Sequence, residues 1–510
     1  MASGPPPVKL SFPSQQALVR FADDFAMALK LGDCVLLAGD LGAGKTTFAR
    51  AAIRAVAGDR AERLEVPSPT FTLVQNYDLR LAIAHFDLYR IADPAEIDEL
   101  GLPEALETGA AFIEWPERAE GHLPGGAIRF EIAEPPDDPD ARDVEITAPP
   151  DFAQRLQRSL ALRAFLESHG WETAFREYLL GDASTRAYET VHRDGERAIL
   201  MNAPKRPDGP PVRDGKPYSQ IAHLAEDVLP FVAIGRTLKD KGFRAPEIFA
   251  FDLDRGIVLL EHLGGDGILD ENRVPIADRY AASVECLAAM HAVSWPREID
   301  VDGARHVVPD FDLGAFLIET ELLSDWYVPR IRGEKLLDDE IAEFRALWTD
   351  LFAIVDAGEK TLLLRDFHSP NIIWDGAAKG VARVGLIDFQ DAMIGSTAYD
   401  VASIVQDARV DVPPALRHRL LDRYCEVRAR APDFDEEAFR LAFAVLSAQR
   451  ATKILGIFVR LDERDGKPAY LGHIPRLRAY LKSSLAHPAL AGLAKWYEKH
   501  GILDAEVEPR

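Results

Sequence analysis

The sequence predicts an α/β domain over residues 1–150 and a larger, two-lobed α+β domain over residues 151–510, on three observations. The chain is 510 residues long, more than one hydrophobic core fills. The apolar run Cys34-Val35-Leu36-Leu37-Ala38 passes through a glycine-rich turn into a helical stretch, Thr46 to Val56, as a parallel α/β unit opens. After Ala148-Pro149-Pro150 the pattern restarts, with strand-like segments before residue 275 and mostly helical ones after it.

In the first domain, short strands are expected at Phe71–Val74, Ile83–Phe86 and Ala111–Ile113. Two more, Ala127–Ile132 and Asp143–Thr147, flank the Pro/Asp-rich turn Glu134 to Asp140 and read as a closing antiparallel hairpin. A helical pattern from Phe152 to His169 opens the second domain. Strand-like segments follow at 181–193, 197–202 and 248–260, and two late ones at Ile372–Trp374 and Val384–Ile387 interrupt the helices.

The net charge of −24 gives no basic field to attract phosphates, which argues against strong direct nucleic-acid binding but leaves open a role in RNA modification through protein partners. No run of 18 or more apolar residues stands out, so no membrane span is expected. The Pro-rich start, Met1 to Leu10, lacks the apolar segment of a secretory signal. Three scattered cysteines, Cys34, Cys286 and Cys425, argue for a reducing, cytoplasmic setting and against a disulfide framework or zinc site.

Gly39-Asp40-Leu41-Gly42-Ala43-Gly44-Lys45-Thr46 fits G-x-x-x-x-G-K-[ST] between a strand and a helix, which makes the first domain an α/β P-loop NTPase domain. Gly39, Gly42 and Gly44 let backbone N–H groups turn toward phosphate oxygens at a helix N-terminus. Lys45 would reach the β/γ-phosphates of ATP, the Thr46 hydroxyl would ligate Mg²⁺, and Thr47 lies beside them. Asp87 and Glu114 each end an expected strand, where an acid serving metal or water would sit; spacing alone leaves a solvated charge as the alternative.

The motif, Ser68-Pro69-Thr70-Phe71-Thr72-Leu73-Val74, His85 to Arg90 and Ile113-Glu114-Trp115-Pro116-Glu117 stand in the order of the TsaE (YjeE) family, ATPases of bacterial tRNA threonylcarbamoyladenosine synthesis. The resemblance covers residues 10–150. It implies that Lys45, Thr46, Asp87 and Glu114 serve nucleotide and Mg²⁺, with Glu114 catalytic. It also implies Thr70 in a switch loop, Trp115 beside the nucleotide, and partner proteins that transfer threonylcarbamoyl to tRNA.

In the second domain, Asp366-Phe367-His368-Ser369-Pro370-Asn371 places an Asn five residues after an Asp, and Asp388 follows at the end of Val384-Gly385-Leu386-Ile387. Protein-kinase-like enzymes use this set: one Asp accepts the substrate hydroxyl proton, and the Asn and second Asp hold Mg²⁺ on the phosphates of ATP. Phosphoryl transfer is mostly positioning and charge neutralisation, so the chemistry needs all three. Asp366 is therefore the expected base, and Asn371 and Asp388 the expected metal ligands.

These motifs, with Ala398-Tyr399-Asp400-Val401-Ala402, resemble the aminoglycoside phosphotransferase superfamily over residues 160–480. The narrower resemblance, through Arg365 to Asn371, Gly385 to Ala392 and Tyr399 to Ser403, is to AmgK enzymes. It implies an anomeric kinase of an amino sugar, N-acetylmuramate or N-acetylglucosamine, forming the sugar 1-phosphate for peptidoglycan recycling. Gly181 to Tyr188 sits where a phosphate-covering hairpin belongs, with Ser184 and Thr185 as contacts. Glu261 lies where the interlobe hinge should read adenine. The phosphate-pairing lysine is missing: Met201 holds its place, with Lys205 or Arg186 as substitutes. Two alternatives stay open, a kinase of another small molecule (an aminoglycoside, choline or homoserine) and a regulatory pseudokinase. Glu319, Glu321, Asp325 and Asp465 would supply an acidic pocket for a polycation.

Overall fold

Residues 6–179, 186–205 and 209–508 are described by a computed structural model, with backbone only at 59, 60 and 62. They form two compact units, Met1–Asn202 and Ala203–Arg510.

The first unit contains strands β1 (Val8–Phe12), β2 (Cys34–Ala38), β3 (Val74–Tyr77), β4 (Ala82–Asp87), β5 (Gly109–Glu114), β6 (Ile128–Ala133) and β7 (Arg142–Thr147) in one sheet, ordered β1-β7-β6-β2-β5-β4-β3. The central strands β6, β2, β5 and β4 run parallel, and β1, β7 and β3 add antiparallel edges. All of β2 and β5 is buried, as expected of strands covered on both faces, whereas β6 and β7 alternate buried and exposed. The expected hairpin β6–β7 is present, and β6 also joins the parallel core.

Helices α1 (Gln15–Ala28), α2 (Lys45–Ala57), α3 (Leu102–Thr108) and α4 (Pro150–Ser168) complete this part. Ser14 starts α1 by accepting the Ala17 N–H at 3.2 Å, satisfying one orphan donor. Phe25, Phe48 and Phe130 fill one face of the sheet with centroids 4.2–5.5 Å apart, and Phe152 of α4 closes on Phe25 at 5.2 Å. Leu88, Ile97, Leu102 and Ala119 pack on the other face.

The expected strand at Phe71–Val74 is a correction. Residues 70–73 form a turn, with Leu73 at φ 62°, and the strand begins only at Val74. The Leu73 N–H donates to Pro69 O at 2.7 Å, and the Ser68 and Thr70 hydroxyls donate to Asp87, so local bonds replace a ladder.

Strands β8 (Phe175–Leu179), β9 (Ala187–Arg193) and β10 (Glu196–Asn202) follow as an antiparallel set within the same compact unit. The packing boundary therefore falls at 202/203, beyond the Pro-rich punctuation near 150. Arg176 of β8 explains this. Its guanidinium is fully buried and meets Asp24 of α1 at 2.7 Å, Glu189 of β9 at 2.7 and 2.9 Å, and Ser159 of α4 at 3.0 Å. Arg163 adds a second cation on Asp24.

In the second unit, the antiparallel strands Ile248–Asp252 and Ile257–Glu261 precede a helical body. Two short ribbons interrupt the helices, Lys360–Leu363 with Met393–Ser396 and Ile372–Trp374 with Val384–Leu386. Helix Glu436–Asp465 is long and apolar enough to cross a membrane by length and composition, which the sequence reading did not anticipate; 78% of its most apolar window is buried inside the protein. Gly456 lets it approach Leu322, whose carbonyl oxygen would lie 2.2 Å from an added Cβ.

Removing Asp24 leaves Arg176 buried and half-compensated. Asp24→Ala is expected to cost about 3–5 kcal/mol, and Asp24→Leu with Arg176→Met to recover much of it. Denaturant midpoints of the full chain check this; an unchanged midpoint for Asp24→Ala would show that the network carries no stability.

Candidate active sites

The P-loop is built by the turn from β2 into α2. Gly39 has φ 139°, and an added Cβ would lie 2.3 Å from Ile132 O, so only glycine fits this crossing. Lys45 is buried, its ammonium donating to Gly39 O at 2.7 Å and Asp40 O at 2.9 Å. It also stands 3.6 Å from the centroid of the Trp115 ring. Burial pushes the Lys45 pKa down, against the pull of Glu114, Glu117, Asp40 and Asp87. Trp115 has φ 61°, a left-handed conformation uncommon for a bulky residue, immediately after Glu114.

Asp87 and Glu114 are register neighbours at the ends of β4 and β5, and both are buried. Glu114 accepts the Thr46 hydroxyl at 2.7 Å and meets His85 Nε2 at 2.9 Å. Asp87 accepts Ser68 at 2.9 Å, Thr70 at 2.6 Å and the Tyr89 N–H at 3.1 Å. Thr46 thus meets Glu114, while Asp87 ties down the Ser68–Thr70 turn. Thr47 accepts from Gln15 at 3.1 Å on the outer side of α2. His85 was not singled out from the sequence; its place two residues before Asp87 on a buried strand was the available signal.

In the second unit, Asn371 joins the backbone carbonyl of Asp366 to the carboxylate of Asp388. Its amide donates to Asp366 O at 2.9 Å and to Asp388 Oδ2 at 3.3 Å. Gln390, unforeseen, donates to Asp388 Oδ1 at 2.9 Å. Arg365 and Asp388 have φ 72° and 62°, left-handed conformations that aim the neighbouring side chains. Asp400 fixes the turn by accepting the Leu364 and Arg365 N–H groups at 2.5 and 2.8 Å; burial pushes its carboxyl up to about 7, against those bonds. Burial also works to raise Asp366, but His368, Lys453, Arg365 and Arg450 hold it below the usual carboxylate range. Asp366 is therefore a carboxylate at neutral pH, as a proton acceptor must be.

Glu319, offered as a pocket acid, is fully buried instead. It pairs with Arg365 and with Lys453 at 2.7 Å and accepts from Gln449 at 2.9 Å. Burial works to raise its carboxyl, but Lys453 and Arg365 overcome that and hold it at about 2. Glu321 is bound by Arg213 and Arg345, and Asp465 by Arg464 at 2.8 Å. Asp325 is exposed.

The expected nucleotide contacts Ser184 and Thr185 lie outside the described residues. Met201 is fully buried on β10 opposite Tyr188, and Lys205 is exposed. Glu261 ends its strand with its N–H donating to Glu247 O at 2.8 Å and its carboxylate accepting the Glu247 N–H at 3.0 Å. No cluster of three or more His, Cys, Asp or Glu side chains able to hold a metal occurs among the described residues. Mg²⁺ in phosphoryl transfer needs only one or two carboxylates besides phosphate oxygens and water, so Asn371 with Asp388, and Thr46 with its neighbouring acids, fit that ion.

Residues 12–144 match the family described as threonylcarbamoyl adenosine biosynthesis protein TsaE, and residues 176–439 the phosphotransferase enzyme family. The chain is 37% identical over 355 residues to an N-acetylmuramate/N-acetylglucosamine kinase of Caulobacter vibrioides, spanning 68% of this chain and 97% of that protein. It is 31% identical to the like-named kinase of Pseudomonas aeruginosa, over 62% of this chain and 85% of that one. Its first part is 43% identical over 120 residues to a tRNA threonylcarbamoyladenosine biosynthesis protein TsaE of Rickettsia bellii, spanning 23% of this chain and 81% of the relative.

Glu114 touches Thr46 and His85 and no loop amide, so Glu114→Gln is expected to slow sugar-independent ATP hydrolysis at least tenfold while nucleotide affinity stays within about threefold. Hydrolysis at the parent rate would return Glu114 to a structural role.

Proposed function

Because the chain belongs to the phosphotransferase enzyme family through residues 176–439 and to the TsaE family through residues 12–144, we propose that it is a bifunctional enzyme with two ATP sites. The P-loop domain is an ATPase supporting threonylcarbamoyladenosine formation at position 37 of tRNA. The second domain phosphorylates the anomeric hydroxyl of N-acetylmuramate or N-acetylglucosamine, releasing ADP and the sugar 1-phosphate. We place the functional boundary near residue 150, between the two matched segments.

The observation that carries the kinase reading is Asn371 bonded to the Asp366 backbone carbonyl and to the Asp388 carboxylate, which brings the base-bearing loop and the metal ligands together. A binding module has no need of a base beside two metal ligands. Asp366 would take the anomeric proton as the sugar oxygen bonds the γ-phosphorus and the bond to ADP breaks. Mg²⁺, when bound by Asn371 and Asp388, neutralises phosphate charge. In the ATPase, Lys45 would serve the phosphates, Thr46 with Asp87 the metal, and Glu114 the water, with Trp115 against the nucleotide. Its partners would be the proteins that transfer threonylcarbamoyl to tRNA. Leu41 on the P-loop and Phe71 on the switch turn, 81% and 82% exposed, offer them apolar contacts. Three buried free cysteines suit a cytoplasmic setting.

The deciding experiment is incubation of the full chain with ATP and each sugar, followed by phosphorus NMR of the product; phosphate on neither anomeric oxygen would refute the kinase reading. Lys45→Ala is expected to abolish sugar-independent ATP hydrolysis and spare sugar phosphorylation. Asp366→Asn is expected to do the reverse, lowering sugar turnover about 10²–10⁴-fold with ATP binding kept. A loss under tenfold would remove the base role.

A further inference from the structure

One face of helix Glu436–Asp465 carries Arg450, Lys453 and Arg460, since steps of three and seven residues return to the same side. The first two positions serve the catalytic loop. Arg450 donates to Arg365 O at 3.1 Å, next to Asp366, and Lys453 is bound by Glu319.

Arg460 is different. It is half-buried, its guanidinium lies 5.5 Å from the Tyr218 ring centroid, and its Nε is buried without a hydrogen-bond partner. Among the described residues it forms no ion pair, whereas Arg330, Arg345 and Arg464 each hold a carboxylate. Tyr218 stands within electrostatic reach of Glu319, Lys453, Arg365 and Arg460, and so links Arg460 to the cluster behind Asp366; the other charges acting on Arg460 are Arg464 and Asp465, which pair with each other at 2.8 Å. A half-desolvated guanidinium with an idle donor is costly unless an anion arrives to meet it.

We propose that Arg460 binds the carboxylate of the 3-O-lactyl ether of N-acetylmuramate and so sets the preference for that sugar over N-acetylglucosamine, which lacks it. The inference rests on the amino-sugar reading above. Seven residues of helix separate Arg460 from Lys453, about 10 Å along the axis. That separation is of the order that an extended lactyl sugar and an arginine side chain bridge together. Arg460 forms no bond to the reacting atoms, so its effect belongs in binding.

The test is steady-state kinetics of full-length Arg460→Met and Arg460→Lys on both sugars. In Arg460→Met the ratio of kcat/KM for N-acetylmuramate to that for N-acetylglucosamine is expected to fall about 10- to 100-fold, through KM for the acidic sugar, and Arg460→Lys to restore part of it. Turnover of N-acetylglucosamine reports that the variant is folded. An unchanged ratio, equal losses on both sugars, or a loss confined to kcat would overturn the assignment. A parent protein active on N-acetylglucosamine alone would overturn it too, while one active on neither would fail the amino-sugar reading itself.

Discussion

A single buried guanidinium ties the front of this protein together. Arg176 has no exposure and three partner residues drawn from α1, α4 and β9. An arginine taken out of water is tolerable only if its donors are met by acceptors of fixed position. Asp24, Glu189 and Ser159 supply them, and Asp24 sits on the helix that packs against the P-loop helix. The ATPase segment and the first phosphotransferase strands are thereby one compact unit, although the family boundary runs between them.

The same rule governs the catalytic loop of the second unit. Glu319, buried to zero exposure, would be intolerable alone; Arg365, Lys453 and Gln449 answer it. That holds Arg365 rigid, and Asp400 grips the backbone at 364 and 365. The left-handed turn at Arg365 persists because its surroundings over-determine it, and Asp366 inherits the resulting direction.

The local parts of this design were legible in the sequence. The strand, glycine loop and helix around Lys45, and the spacing of Asp366, Asn371 and Asp388, are short-range patterns whose chemistry dictates residue type. What escaped was non-local. Gln390 and His85 look ordinary until the fold places them on Asp388 and Glu114. Phe71–Val74 carries strand-like residues, yet a hydroxyl-rich turn held by Asp87 overrides the propensity. The packing boundary at 202 was hidden because Pro149-Pro150 marks a turn in the chain but cannot reveal that Arg176 reaches back to Asp24.

Charge counted over the chain also misleads about charge at a site. A net −24 describes the whole chain, and four of its acids, Glu319, Glu321, Asp325 and Asp465, stand in the sequence as candidates for a polycation pocket. Three of them are paired with cations: Glu319 with the buried Arg365 and Lys453, Glu321 with Arg213 and Arg345, and Asp465 with Arg464 at the surface. A neutralised acid attracts a bound cation only weakly, because its field is cancelled within a few ångströms. The helix face beside Asp366 instead presents Arg450, Lys453 and Arg460, with one buried carboxylate among them. Local pairing, and not composition, fixes the sign of the field a substrate meets.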